Sequence, residues 1–303
     1  LAREPRFDPA TGMTGLHTVK ISNASSIQRM GRAGRLKAGK CYRLWSAAQQ
    51  QQLAPHRTAE ILLADLAPVA LQLLQWGVDD PSKMSWLDPP PKGPWQQAMD
   101  LLKSLGAIET KATTAVLTAH GHAMTSLAVH PRLAHLLLRG AELGFVDTAV
   151  LLASLLSERD PFGRDNPDIS YRLDLLTGET ACPSAQQGWL RRTRQLARQF
   201  EEQLAKLGSI ERSQADTVAY DQLPGYLLAC AYPDRIARRR HSGGYQLANG
   251  RSANLAGEHR LGNNRWLAVA EVSGIAGGKG DSIRSAAALD ENLFTTALAD
   301  LVE

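Results

Sequence analysis

The hydrophobic texture of this chain changes at Asp234, which divides it into parts that fold by different periodicities. From His120 to Asp234 apolar residues recur at helical spacing. Pro131-Arg132-Leu133-Ala134-His135-Leu136-Leu137-Leu138 starts one amphipathic helix, Phe145 to Leu156 forms another, and Ala185 to Leu207 a third. Beyond Asp234, Gly243, Gly244, Gly250, Gly257 and Gly262 punctuate short alternating runs such as Tyr245-Gln246-Leu247 and Trp266 to Val272. We read residues 119–234 as a helical domain and residues 235–303 as the start of a small β-barrel. A chain of 303 residues, 44% of them apolar, has enough material for more than one core. No apolar run approaches the ~18 to 20 residues of a membrane span, so no membrane role is expected.

The segment before His120 divides again. A turn signal at Asp8-Pro9-Ala10-Thr11-Gly12 separates two extended runs and predicts a β-hairpin within Leu1 to Ile21. Ser22 to Ser26 offer N-caps for a helix through Gln28 and Arg32 that ends at Gly34, and Cys41 to Trp45 reads as a short strand. The Gln49-Gln50-Gln51-Gln52 run and Pro55 mark a boundary, so residues 1–53 form the first domain. Thr58 to Trp76 predicts a helix, Trp95 to Leu105 a second, and Ala107 to Glu109 with Ala115 to Leu117 a hairpin. Two helices and a β-wing outline a winged helix over residues 54–118. The fold class is multi-domain α+β, predominantly helical. Leu71 to Leu74 and Leu136 to Leu138 read as core, and Pro89-Pro90-Pro91 as a stiff connector.

Charge is concentrated. From Asp234 to Arg265 seven arginines face only Asp234 and Glu258, a local +5 in a chain whose total is +4. Cys41, Cys182 and Cys230 are odd in number and form no C-x-x-C pair, which disfavours a disulfide framework and a zinc knuckle and fits a reducing cytoplasm. The chain opens on Leu1-Ala2-Arg3-Glu4-Pro5 without Met or an apolar leader, which predicts a piece of a longer protein.

The strongest local signal is Gln28-Arg29-Met30-Gly31-Arg32-Ala33-Gly34-Arg35. On a helix Gln28, Arg32 and Arg35 fall at i, i+4 and i+7 and share a face. One amide and two permanently charged, fork-shaped guanidiniums suit a polyphosphate, and Gly31 and Gly34 admit a close neighbour. The plain alternative is a basic surface helix. Arg191, Arg194 and Arg198 line one side of the third helix, either as a solvated face or as contacts to a nucleic-acid backbone. Arg238-Arg239-Arg240 with Tyr245 and Trp266 read as an electrostatic track with stacking residues. His120, His122, His130 and His135 lack a cysteine to complete a tetrahedral set, so no metal site is assigned. Gly274-Ile275-Ala276-Gly277-Gly278-Lys279-Gly280 lacks both the spacing and the hydroxyl of a phosphate loop and reads as a surface turn.

The Q-R-x-G-R-x-G-R block resembles motif VI of superfamily 2 helicases, and Ser22 to Trp45 is similar to the DEAH-box branch of RNA helicases. Leu1-Ala2-Arg3 with Asp8-Pro9-x-Thr11-Gly12-Met13 resembles the hairpin between motifs V and VI of that branch. Glu60 to Leu66, Leu87-Asp88-Pro89-Pro90-Pro91, Leu101 to Ala107 and Pro131 to Ala134 resemble its winged-helix and ratchet segments, so the likeness runs essentially the whole chain. The resemblance implies the end of a second RecA-like lobe, a winged helix, a helical ratchet and a partial oligonucleotide-binding barrel. It implies ATP and Mg²⁺ as cofactors, with Gln28 positioning the attacking water, Arg32 and Arg35 at the γ-phosphate, and Arg29 serving structure. Phosphoryl transfer rests on such positioning and charge stabilisation. It further implies single-stranded RNA, bound with little regard to sequence, as a partner, and the N-terminal RecA-like lobes of the same parent chain as the other. No G-x-x-x-x-G-K-[ST] and no D-E-A-H box occur, so this stretch alone is expected to be inactive. The rival reading is a non-enzymatic winged-helix and barrel module that binds nucleic acid. Gln96, Gln97, Asp100 and Lys103 on a largely apolar helix are poor for base readout.

Overall fold

The computed structural model describes residues 1–8, 13–112, 114–162, 166–208, 210, 218–241, 243–257, 259–273 and 281–301. Their contacts gather into two compact units, one of residues 1–66 and 80–97 and the other of residues 67–79 and 98–303.

In the first unit, β1 (Ala2–Asp8) and β2 (Met13–Val19) form the expected antiparallel hairpin, in register from Ala2 with Val19 to Asp8 with Met13. The tip, 9–12, lies outside the described residues. The Phe7 N–H donates to the Leu63 carbonyl at 2.6 Å, which fixes the hairpin to the later part of the same unit. Helix α1 (Asn23–Ala33) follows, capped by Ser22, whose hydroxyl accepts from the Ser25 N–H. The Asn23 and Ala24 N–H groups donate to the carbonyls of Ala54 and Pro55, so donors that a helix leaves orphaned are satisfied from the chain that returns past α1.

Three expectations here need correction. Cys41 to Trp45 forms no strand, because no partner ladder exists for it among the described residues. The glutamine run is not a boundary linker but belongs to α2 (Ala47–Gln51), started by a reciprocal capping box between Ser46 and Gln49. Gln50 ties this helix to α1. Its Oε1 accepts from Trp45 Nε1 at 2.8 Å and its Nε2 donates to Asn23 Oδ1 at 2.6 Å. The single helix expected over Thr58 to Trp76 is instead a 3₁₀ turn, Glu60–Leu62, and a separate α3 (Ala67–Gln75). Pro68 has no N–H and fits only the first turn of a helix, so α3 begins beside it.

The second unit contains α3, the end of α4 (Lys92–Ser104) and the wing, β3 (Ile108–Lys111) paired with β4 (Thr114–Leu117). Six helices follow: α5 (Ala119–Thr125), α6 (Pro131–Glu142), α7 (Val146–Ser157), α8 (Ile169–Thr177), α9 (Gln187–Lys206) and α10 (Leu223–Ala231). Helical spacing in the sequence predicts α6, α7 and α9 but not the others. At Gly140 α6 meets α7 so closely that a Cβ would stand 2.3 Å from the Ala149 Cβ.

Strands β5 (Ile236–Arg239), β6 (Tyr245–Leu247), β7 (Ser252–Asn254), β8 (Trp266–Ser273) and β9 (Asp281–Leu289) close into a barrel of order β5-β6-β7-β9-β8. Helix α10 is buried at eight of its nine positions, as a helix apolar on every face must be. One side packs on α6, and the other lies on β9, where Gly225 leaves no room for a Cβ beside the Ala288 carbonyl. Helical bundle and barrel therefore share a core through α10. The Gly274 to Gly280 turn lies outside the described residues. No helix among the described residues is long and apolar enough to cross a membrane.

Candidate functional site

Gln28, Arg29 and Arg32 project from α1 into a cavity of about 570 Å³ within the first unit. Its other walls come from the base of the hairpin, with Arg3, Arg6 and Lys20, and from the segment after α2, with His56 and Arg57. Glu4 is the one acid among the described residues that line it; it is buried and held by Arg6 at 3.1 Å, so its charge is spent. Among the described residues no carboxylate pairs with Arg29, Arg32 or Arg57. The cavity therefore presents uncompensated guanidiniums, the donor set that meets phosphate oxygens in bidentate fashion.

Arg35 departs from the expected arrangement. Helix α1 ends at Ala33 and Gly34 caps it, so Arg35 stands in the turn beyond rather than one face on from Gln28 and Arg32, and it does not line the cavity. Arg29, expected to serve packing, does line it. Nothing lies within 4 Å of a Cβ built at Gly31 or Gly34, so the close approach these glycines would permit is not used by any described residue of this chain. Around them Ile27, Met30, Leu36, Tyr42 and Leu44 expose apolar surface.

On α9, Arg191 and Arg198 are exposed, on the side away from the buried Trp189, Thr193, Ala197 and Phe200. Arg194 is turned inward. Its Nε donates to the Leu176 carbonyl at 2.9 Å, satisfying a C-terminal carbonyl of α8. The expected line of three arginines is thus two exposed cations and one structural one.

On the barrel, Arg238, Arg239 and Arg240 are all exposed. Alternation along β5 sends Arg238 over the Trp266 ring, 5.6 Å from its centroid, and Arg239 into a different place, a cavity of about 590 Å³ that Arg260 and His259 also line. Arg240 donates to Ser252 Oγ at 3.0 Å. The expected stacking residues are not free to stack. Tyr245 is buried and its hydroxyl donates to the carbonyls of Leu261 and Asn264, while Trp266 is covered by Arg238 and, edge-on at 4.8 Å, by Phe294.

The histidines form a structural pair. His120 Nε2 and His135 Nδ1 stand 2.8 Å apart, and Glu142 accepts from Arg139 at 2.6 Å while lying 3.6 Å from His120. Burial, reinforced by His120 and Arg139, pushes the His135 imidazole well below its usual range. No group of three or more His, Cys, Asp or Glu that could hold a metal ion occurs among the described residues.

Sequence reasoning missed Arg3, His56 and Arg57 on the first cavity. Each sits more than 20 residues from the Gln28 to Arg35 block, and the hairpin register and the Ala54 and Pro55 bonds to α1 bring them there.

No family model matches the chain. Among curated proteins, ATP-dependent RNA helicase HrpB of Escherichia coli (strain K12) is 37% identical over 266 residues, 88% of this chain and 30% of that protein. ATP-dependent RNA helicase HrpA of the same organism is 36% identical over 168 residues, covering 55% of this chain and 13% of the relative. The pre-mRNA-splicing factor ATP-dependent RNA helicase prp22 of Schizosaccharomyces pombe is 34% identical over 152 residues, 50% of this chain and 13% of the relative. Two crystal structures of E. coli HrpB superpose with TM-scores of 0.73 and 0.75, at 36% and 34% identity, covering 97% and 95% of this chain and 33% and 34% of theirs. The chain thus spans about a third of the HrpB proteins it matches, and less of the others.

Proposed function

We propose that this chain, which matches the C-terminal region of the DEAH-box RNA helicase HrpB, is the RNA-handling and nucleotide-sensing part of such a helicase. In this reading residues 1–53 complete the second RecA-like lobe, 54–118 form the winged helix, 119–234 the ratchet and 235–303 the oligonucleotide-binding-type barrel. The parent couples ATP hydrolysis to movement along single-stranded RNA in the cytoplasm, and this stretch alone is inactive.

The observation that carries the reading is the cavity over α1, where Gln28 and Arg32 share a wall with no carboxylate to neutralise them. An amide and several guanidiniums fit a triphosphate in both charge and donor count. ATP, when bound with Mg²⁺ held by the N-terminal lobes, supplies the free energy of the cycle. This chain's part is to bind and to orient: Gln28 would align water with its amide, Arg32 would stabilise negative charge that builds during transfer, and Arg35, which does not line the cavity, would reach the phosphates from the turn after α1. The exposed apolar residues Ile27, Met30, Leu36, Tyr42 and Leu44 would pack against the remainder of the RecA-like lobe, and the unused space at Gly31 and Gly34 would admit it.

Arg191 and Arg198 on the ratchet and Arg238, Arg239 and Arg240 on the barrel would contact RNA phosphates without reading bases. Unwinding of a tailed RNA duplex tests the whole assignment. The intact parent should separate the strands only with ATP and Mg²⁺, and the 303-residue chain should bind RNA without hydrolysing ATP. An intact parent that binds RNA but has no RNA-stimulated ATP turnover would instead favour a binding module.

A further inference from the structure

The helical bundle carries a groove opposite in charge to the arginine-bearing faces of α1, α9 and the barrel. It opens between α7, α8 and the start of α10, with a volume of about 250 Å³. Leu173, nearly buried, and Pro224 form an apolar floor, and the Tyr220 ring stands beside them with 66% of the residue exposed. Three carboxylates from three separate places rim the opening: Asp174 on α8, Glu179 after the Gly178 turn, and Asp221 in the 3₁₀ turn Tyr220–Gln222. Among the described residues no lysine, arginine or histidine lines it, and none of these three carboxylates has an ion pair.

The geometry points to a docking groove for a basic, apolar-flanked segment of a partner protein, entered by one arginine side chain. The volume lies below the ~300 to 1,000 Å³ of small-molecule pockets, so it suits a single side chain rather than a cofactor. An arginine satisfies each part of the groove at once. Its methylene stem covers the Leu173 and Pro224 floor, its planar head stacks on the exposed Tyr220 ring, and its donors reach the carboxylate rim. Nucleic acid is the wrong occupant, because phosphates would approach three unneutralised carboxylates at short range. The groove thereby separates a protein-binding face from the arginine-bearing faces of α9 and the barrel.

The test is fluorescence anisotropy on the intact protein, using a fluorescein-labelled Gly-Leu-Arg-Leu-Gly peptide as the probe. We expect saturable binding below about 1 mM, and a loss of about tenfold or more on replacing the peptide's arginine by norleucine. The Asp174→Asn, Glu179→Gln, Asp221→Asn triple variant and, separately, Tyr220→Ala should each weaken the arginine peptide by a similar factor while leaving affinity for a single-stranded RNA oligomer within about twofold. Asp221→Lys should then favour a peptide with glutamate at the central position, a gain that misfolding cannot produce. Equal binding of the arginine peptide to parent and groove variants, or no saturation at all, overturns the proposal.

Discussion

Arg132 Nη1 donates to Asp234 Oδ1 at 2.6 Å across 102 residues of sequence, and the same nitrogen donates to the Ala231 carbonyl at 2.9 Å. Arg132 lies in the first turn of α6 in the helical bundle; Ala231 ends α10, and Asp234 lies in the 3₁₀ turn Pro233–Arg235 that leads into the barrel. The Tyr232 ring lies between Arg132 and Arg235, 5.1 and 4.7 Å from their guanidinium carbons. The point at which the texture of the sequence changes is therefore pinned by a buried cation. Removing it leaves the Ala231 carbonyl without this donor and Asp234 with Arg235, 3.6 Å away, as its remaining ion-pair partner. Arg132→Ala should cost about 3 kcal/mol in chemical denaturation, and a variant within 0.5 kcal/mol of the parent, roughly the surface-substitution range, would contradict this role.

Two glycines should respond in opposite directions. A Cβ at Gly225 would stand 2.1 Å from the Ala288 carbonyl oxygen, so Gly225→Ala must push α10 off β9 and should destabilise by about 3 kcal/mol. At Gly31, inside α1, a Cβ meets nothing within 4 Å. Gly31→Ala should leave the 303-residue chain as stable or up to about 1 kcal/mol more stable, because alanine is the better helix former, yet should lower ATP turnover in the intact parent. Thermal melts of both variants beside turnover of the second provide the check.

Acid should weaken the bundle through His135. Its folded pKa is depressed by burial, so below the ordinary value of 6.5 the unfolded chain takes up a proton that the folded chain refuses. Stability is then fully present above pH 6.5 and falls as pH drops through that value, by up to about 1.4 kcal/mol per unit, until the lowered folded pKa is reached. Glu142, which burial pushes up but His120 and Arg139 together draw below its ordinary value of 4.5, adds a second loss only below that value. Denaturation midpoints between pH 7 and about 5 should slope in the parent and flatten in His135→Gln; equal slopes would rule His135 out as the source.

The arginines of α9 should separate by function. Replacing Arg191 and Arg198 with glutamine should weaken single-stranded RNA binding at low salt and reduce the slope of log affinity against log salt by about 0.7 for each phosphate no longer neutralised. Arg194→Gln should leave that slope unchanged and lower the melting temperature instead, since its Nε serves the Leu176 carbonyl. Identical salt slopes for all the variants would contradict the proposed contact of α9 with RNA.

Much of this architecture was legible. The hairpin, α1, the wing, α6, α7, α9 and the barrel follow from a turn signal, from Ser22 and Pro131 at helix starts, from Gly106 at the end of α4 and from the glycine-punctuated alternation after Asp234. What escaped did so for definite reasons. Helix α10, Leu223-Pro-Gly-Tyr-Leu-Leu-Ala-Cys-Ala, has no polar face and hence no helical period, and its Pro224 and Gly225 read as breakers although one sits in the first turn and the other is an obligate close contact. Cys41 to Trp45 has strand-forming residues but no partner to pair with among the described residues. At the candidate site Gln28 and Arg32 followed from helical spacing, whereas Arg35 was misplaced by extending that spacing one residue past the Gly34 cap. Arg3, His56 and Arg57 are contributed by tertiary contacts that no local pattern encodes.

That Arg32 faces a triphosphate is tested most directly by RNA-stimulated ATP turnover of the intact parent carrying Arg32→Ala. A fall in kcat of about 10³-fold or more, with RNA affinity and thermal stability unchanged, is the expected result for a guanidinium that stabilises charge during phosphoryl transfer. Turnover equal to that of the parent would contradict it.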